Sequence, residues 1–181
     1  IALSTSSISE NNAANAVVGT LSSTDVDASD THTYTLASGT GDTDNDSFTI
    51  VGNQLKVTPI LDYETKASYS IRVRTTDAGG LSYDKVFTIT VNDANETPTN
   101  IALSASSISE NNTANAVVGT LSSTDIDAGD TFTYTLISGV GSTDNASFTI
   151  VGNQLKATSV FDFETKASYS IRVRTTDAGG L

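Results

Sequence analysis

Glu10, Asp62, Glu64, Asp93, Asn95, Glu96, Asp125, Asp127 and Asp177 are nine oxygen donors set near the ends of short apolar–polar segments, and eight of them are acids. Eight carboxylates gathered in one place would repel one another strongly unless a cation lay between them. Ca²⁺ suits such a set, because it takes about six to eight hard oxygen ligands and tolerates irregular geometry. Mg²⁺ demands a stricter octahedron, and Zn²⁺ favours Cys and His, of which the chain has none and one. Roughly two or three Ca²⁺ would balance the eight negative charges. Catalysis has little to work with: there is no Cys nucleophile, a single His and no glycine-rich phosphate loop. The chain is not expected to be an enzyme.

The elements that must position these acids occur twice. "IALSTSSISENNAANAVVGTLSSTD" from Ile1 returns as "IALSASSISENNTANAVVGTLSSTD" from Ile101, and 67 of the 81 positions in 1–81 are identical to those in 101–181. A period of 100 residues exceeds that of small solenoid repeats and matches an independent domain. The expected domains are 1–98 and 99–181, with the acidic seam "DANETPTN" between them. Copy one continues after "RTTDAGGL" with "SYDKVFTITV", whereas copy two ends there, so the second domain is expected to lack its last strand, within a longer protein.

Each copy reads as seven short strands separated by turn residues. In copy one these are "IALSTSSIS", "AVVGTLSST", "THTYTLAS", "FTIV", "QLKV", "SYSIRVRTT" and "DKVFTITV". Gly52-Asn53 should close a tight hairpin, Tyr69, Ile71 and Val73 should face inward, and "LDYETKA" should form a helical turn. The count and spacing predict tandem Greek-key β-sandwiches of immunoglobulin-like type. Such a fold carries Glu10, Asp62, Glu64 and the seam to one pole, where they meet Asp125, Asp127 and Asp177 of the next copy.

A net charge of −12 argues against partners such as nucleic acid or anionic membrane, both of which require clustered Lys and Arg. No run of ~18 apolar residues suggests membrane insertion. Without cysteines, redox chemistry gives no compartment; the acidic, Thr-, Ser- and Asn-rich composition is compatible with bacterial secretion.

"SISE" ending at Glu10, "TDVD" at 24–27, "LDYE" at 61–64, "TTDAGG" at 75–80 and "VNDANETP" at 91–98 resemble, in order, the five calcium motifs of cadherin repeats. The full wording is similar to the cadherin-like repeats of large bacterial surface adhesins, including those of the RTX route. The resemblance implies that Glu10, Asp62, Glu64, Asp93 and Glu96 hold one or two ions on the first domain's side, while Asn95, Asp125, Asp127 and Asp177 hold a further ion against the second. It also implies incomplete outer sites, Asp25, Asp27 and Asp77 towards a preceding repeat and Glu110, Asp162 and Glu164 towards a following one. Ser9 stands where cadherins usually carry Pro, and the linker is one residue shorter.

The function so implied is that of calcium-rigidified stalk repeats in a secreted or cell-surface adhesin, with neighbouring repeats of the same chain as partners. The alternative is that the repeats themselves adhere, through homophilic or glycan contact. Three remaining features read as ordinary structure. "DTDNDS" at 42–47 imitates an EF-hand opening, but "STDNAS" replaces it in copy two; His32 is matched by Phe132 and reads as a packing position. "NET" at 95–97 and "NNT" at 111–113 are formal glycosylation sequons.

Overall fold

The computed structural model describes residues 1–27 and 30–181 and is all-β apart from short 3-10 turns at Asn45–Ser47 and Asn145–Ser147. It divides into two units, Ile1–Ala94 and Asn95–Leu181. The division falls inside the acidic seam.

Unit 1 contains β1 (Ala2–Leu3), β2 (Ser7–Ser9), β3 (Val17–Ser22), β4 (Thr33–Leu36), β5 (Phe48–Val51), β6 (Gln54–Val57), β7 (Ser68–Thr76) and β8 (Ser82–Asn92). One sheet runs β1-β3-β6-β5 and the other β2-β8-β7-β4, so the expected sandwich is formed. The first expected strand is divided between the two sheets: β1 pairs antiparallel with β3, and β2 pairs parallel with β8. The crossing needs a close approach, and Gly19 allows it. A Cβ there would lie 2.7 Å from the Thr5 carbonyl oxygen; at Gly119 it would lie 2.6 Å from that of Ala105. β5 and β6 pair Val51 with Gln54 across Gly52, whose φ of 64° is one that glycine adopts without steric cost.

Residues of both sheets, with Leu61 from the segment after β6, meet in a core of Val18, Leu21, Phe48, Leu55, Val57, Leu61, Ile71, Val73, Ile89 and Val91. Tyr34, Tyr69 and Phe87 pack against it, Tyr69 edge-on to Phe48. Each fully buried aliphatic side chain contributes roughly 1.5–3 kcal/mol relative to exposure. The outer face of the β7–β8 pair is polar. There Asp84 on β8 accepts hydrogen bonds from both Arg72 and Arg74 on β7.

Unit 2 contains β9 (Asn100–Leu103), β10 (Val117–Thr124), β11 (Thr133–Leu136), β12 (Phe148–Val151), β13 (Gln154–Ala157) and β14 (Val173–Thr176). The sheets are β12-β13-β10-β9 and β11-β14. Residues 168–172 repeat the first half of β7 letter for letter and yet form no strand. The reason lies in the pairing of unit 1, where Ser68–Arg72 are registered only with β8, while Val73–Thr76 are registered with β4 as well. Residues 107–109 lose their strand for the same reason, since β2 pairs only with β8. Phe148, Phe161 and Tyr169 form an aromatic cluster in this unit, with Phe161 and Tyr169 stacked at 4.3 Å.

Candidate functional site

Asn12 begins the first acidic cluster by fastening a distant turn to the end of β2. Its side-chain oxygen accepts the Leu61 N–H at 2.9 Å and its amide donates to the Pro59 carbonyl at 3.0 Å, while the Asn11 N–H donates to the Leu61 carbonyl at 3.0 Å. Asn11 turns the chain there in the left-handed region, at φ 53°. Asn112 makes the equivalent bonds to Phe161 and Ser159. The sequence reading did not single out this clamp, although "SENN" stands in both copies.

Once the turn is fastened, Glu10 joins three segments of unit 1. Its carboxylate accepts the Tyr63 N–H and the Ala94 N–H, each at 2.8 Å, and its own N–H donates to the Asn92 carbonyl at 3.1 Å. Glu10 is buried, and carboxylate oxygens of Glu10, Glu64 and Asp93 lie within 4.8 Å of one another. Asp62 is held differently. Both of its oxygens accept from Thr65, and the Lys66 N–H donates to the Asp62 carbonyl, forming the single helical turn expected of "LDYETKA". The Thr65 N–H and hydroxyl hold the Asp62 carboxyl below its usual range.

In unit 2, oxygens of Asp125, Asp127 and Asp130 lie within 4.8 Å of one another. The Glu96 N–H donates to Asp127 Oδ2 at 2.8 Å and the Asp127 N–H to Asp125 Oδ1 at 3.3 Å. Asp125 Oδ2 and Asp127 Oδ1 are buried without a hydrogen-bond partner. Such orphaned carboxylate oxygens are costly unless something positive meets them. Asp177, also buried, accepts from the N–H groups of Gly180 and Leu181 and from the Asn95 amide at 3.1 Å. Burial pushes its carboxyl up, but these N–H groups outweigh burial and hold it below the usual range. A Cβ at Gly179 would lie 2.1 Å from Asn95 Oδ1, so glycine is what admits the Asn95 side chain.

Each unit holds one further cluster of acids. Asp25, Asp30 and Asp77 gather in unit 1, and Glu110, Asp162 and Glu164 in unit 2. Asp27 is exposed and stays outside the first of these, donating its N–H to Asp25 Oδ1 at 3.2 Å. That bond leads the influences that keep the Asp25 carboxyl low. Asp30 and Asp130 were not among the expected residues; the recurrence of Asp-x-Asp-x-x-Asp in "DVDASD" and "DIDAGD" is the signal that could have found them. His32 does more than pack, its Nε2 lying 3.4 Å from Asp25 Oδ2. The imitation EF-hand stretch is a structural turn: Asp42 accepts the Gly39 N–H, Ser142 takes that part in copy two, and Asp44 is paired with Lys66 and the Ser70 N–H.

The donors are almost all hard oxygens, with two buried acceptors unpaired, so the arrangement can hold a hard divalent cation. A family model described as the cadherin domain matches residues 4–97. Protocadherin-18 of Bos taurus is 34% identical over 119 residues, covering 62% of this chain and 10% of the relative. Its Homo sapiens counterpart is 33% identical over 129 residues, covering 66% and 11%. The chain thus spans about a tenth of the length of these curated relatives. Among solved structures, human Protocadherin-24 EC1-2 has a TM-score of 0.75 at 20% identity, over 97% of this chain and 84% of that one. The human Desmocollin-1 ectodomain has a TM-score of 0.67 at 21% identity, over 93% and 35%. At these identities the structural likeness speaks for the fold.

Proposed function

This chain belongs to the cadherin family, whose repeats are extracellular domains of calcium-dependent adhesion, and from that premise we propose that its acidic clusters hold Ca²⁺ and that the repeats serve as a calcium-stiffened stalk. The observation that carries this is the pair of buried, unpartnered oxygens Asp125 Oδ2 and Asp127 Oδ1. In unit 1 the holding residues would be Glu10, Glu64 and Asp93, with Asp62 beside them in sequence. In unit 2 they would be Asp125, Asp127, Asp130 and Asp177, with Asn95. Asp25, Asp27, Asp30 and Asp77, and likewise Glu110, Asp162 and Glu164, would serve sites completed by further repeats. Bound Ca²⁺ supplies charge neutralisation and a rigid centre for oxygen ligands.

The chain's own residues do the rest. The Ala94 N–H is held by Glu10 in unit 1 and the Glu96 N–H by Asp127 in unit 2, so both acidic groups grip the same short stretch of backbone. Neutralising each group would hold that stretch still; stripping the ions would restore repulsion and free it. On the wording of its motifs, we assign the stalk to a large bacterial surface adhesin of the RTX-secreted type. Homophilic or glycan adhesion by the repeats is the alternative, marked by calcium-dependent self-association.

Calorimetric titration of the calcium-stripped chain tests the proposal. Two or three ions should bind, and an Asp125→Ala, Asp127→Ala variant that keeps its β circular dichroism should lose most of that heat. Equal binding by both proteins, or none by either, would remove the metal-locked joint.

A further inference from the structure

In both units a pair of hydroxyls bridges the two sheets just inside a group of acids. Ser23 Oγ donates to Thr75 Oγ1 at 2.9 Å, and Ser123 Oγ to Thr175 Oγ1 at 2.8 Å. Thr75 lies on β7, registered with Tyr34 of β4 and Tyr83 of β8, whereas Ser23 follows directly on β3 of the other sheet. In unit 2 Ser123 is registered with Ile101 of β9 and Thr175 with Tyr134 of β11, so there too the bond crosses from sheet to sheet. Leu21 and Val73, two residues earlier on each path, belong to the core. Asp25 and Asp77, two residues later, bring carboxylate oxygens within 4.8 Å of one another and of Asp30. Each path therefore runs in steps of two, the period of one strand face, from aliphatic to hydroxyl to carboxylate.

The middle step can do what the aliphatic step cannot. Apolar contact is non-directional and fixes no particular separation, whereas a hydroxyl bond holds its two oxygens roughly 2.5–3.0 Å apart. The carboxylates two residues on repel one another and would pry their strands apart. Thr75 is buried and Ser23 half-buried, so the bond that resists this is shielded from water. In unit 2, Asp125 is grouped with Asp127 and Asp130, and its Oδ2 is buried without a hydrogen-bond partner. Asp177, two residues beyond Thr175, is buried as well.

Resting on the reading of these acids as calcium ligands, we infer that Ser23 with Thr75, and Ser123 with Thr175, are positioning pairs that set the spacing of the acids beyond them and so fit the ligand cage to Ca²⁺ over Mg²⁺. Discrimination between the two ions depends on the size and flexibility of the cage. With the hydroxyl bond made, the two acid-bearing strands keep a fixed spacing, and the cage cannot contract onto the smaller ion. Without it the acids spread when empty and follow either ion when filled. Gathering them again on binding costs affinity, and the loss falls chiefly on Ca²⁺, for which the cage is preformed.

The test is calorimetric titration of the whole calcium-stripped 181-residue chain with Ca²⁺ and, separately, with Mg²⁺, on the parent and on Ser123→Ala, Thr175→Val and Thr175→Ser variants. The binding compared is that which Asp125→Ala, Asp127→Ala abolishes. Ser123→Ala and Thr175→Val should each bind Ca²⁺ about tenfold more weakly, with Mg²⁺ affinity changed much less, so that the ratio of the two affinities falls. Thr175→Ser keeps the hydroxyl and should keep the parent's ratio. Lower stability alone would not move that ratio, and circular dichroism in chelator checks that each variant is folded. If Thr175→Val does not fold, Ser123→Ala, at a half-buried position, decides in its place. An unchanged ratio in the hydroxyl-deleted variants, or an equal fall in Thr175→Ser, overturns the inference and leaves the calcium reading standing. Absence of Ca²⁺ binding by the parent overturns both.

Discussion

Asp84 shows how a single residue can tie two neighbouring strands together on the outer face of a sheet. Clamped by Arg74 and Arg72, its carboxyl is held far below the usual range. A carboxylate with a depressed folded pKa contributes stability that is complete above its unfolded value, near pH 4, and is lost as pH falls through the lower folded value. Asp84→Asn should therefore lower the melting temperature at neutral pH, and the gap from the parent should close in acid below about pH 4. Because Arg74 is exposed, the gap should also narrow with added salt. Melting curves at several pH values in chelator check both trends. The candidate ligands were legible at this scale because acids at turns are visible in the chain. What a given acid binds was not: Asp62 reads as a ligand and is held by Thr65, while Asp30 looks like loop and joins Asp25 and Asp77.

At the scale of elements, alternation of apolar and polar residues placed most strands, and "FTIV" and "QLKV" appear with the expected bounds. The division of the first strand was hidden, because Ser4, Thr5 and Ser6 bring no Gly or Pro and the switch of sheets depends on β3 and β8 far along the chain. The short β14 was hidden for a related reason, as pairing rather than propensity sets its length. Gly19 gives a direct test of the crossing. Gly19→Ala would drive a Cβ into the Thr5 carbonyl, a backbone atom with little room to yield. A loss of roughly 1–3 kcal/mol is expected. Urea unfolding measures it, and Gly52→Ala, which meets no atom within 4 Å but carries positive φ, separates crowding from backbone strain.

For the whole molecule, the 100-residue period made the tandem arrangement plain, whereas the chain divides between Ala94 and Asn95, before Pro98, at which the sequence alone sets the first domain's end. Each unit has its own sandwich, so the proposed ions should stabilise without being needed to fold it. A site that binds only the ordered form adds about 2.7 kcal/mol when free Ca²⁺ stands at 100 times its dissociation constant. Chelation should thus lower the melting temperature while leaving the β circular dichroism intact, and the Asp125→Ala, Asp127→Ala variant should respond much less. Small-angle scattering should report a broader distribution of particle dimensions after chelation.

The parallel pairing of β2 with β8 carries a mechanical consequence. Ser7 lies opposite Thr90, Ile8 opposite Val91 and Ser9 opposite Asn92, so the second strand and the last strand of unit 1 point the same way. Tension between those strands would slide one along the other and load the bonds of the pair together, whereas a terminal hairpin would peel open one bond at a time. Under stretching, lifetime follows the rate of rupture rather than the equilibrium stability, so a sandwich wired in this way outlasts a peeling one of equal free energy.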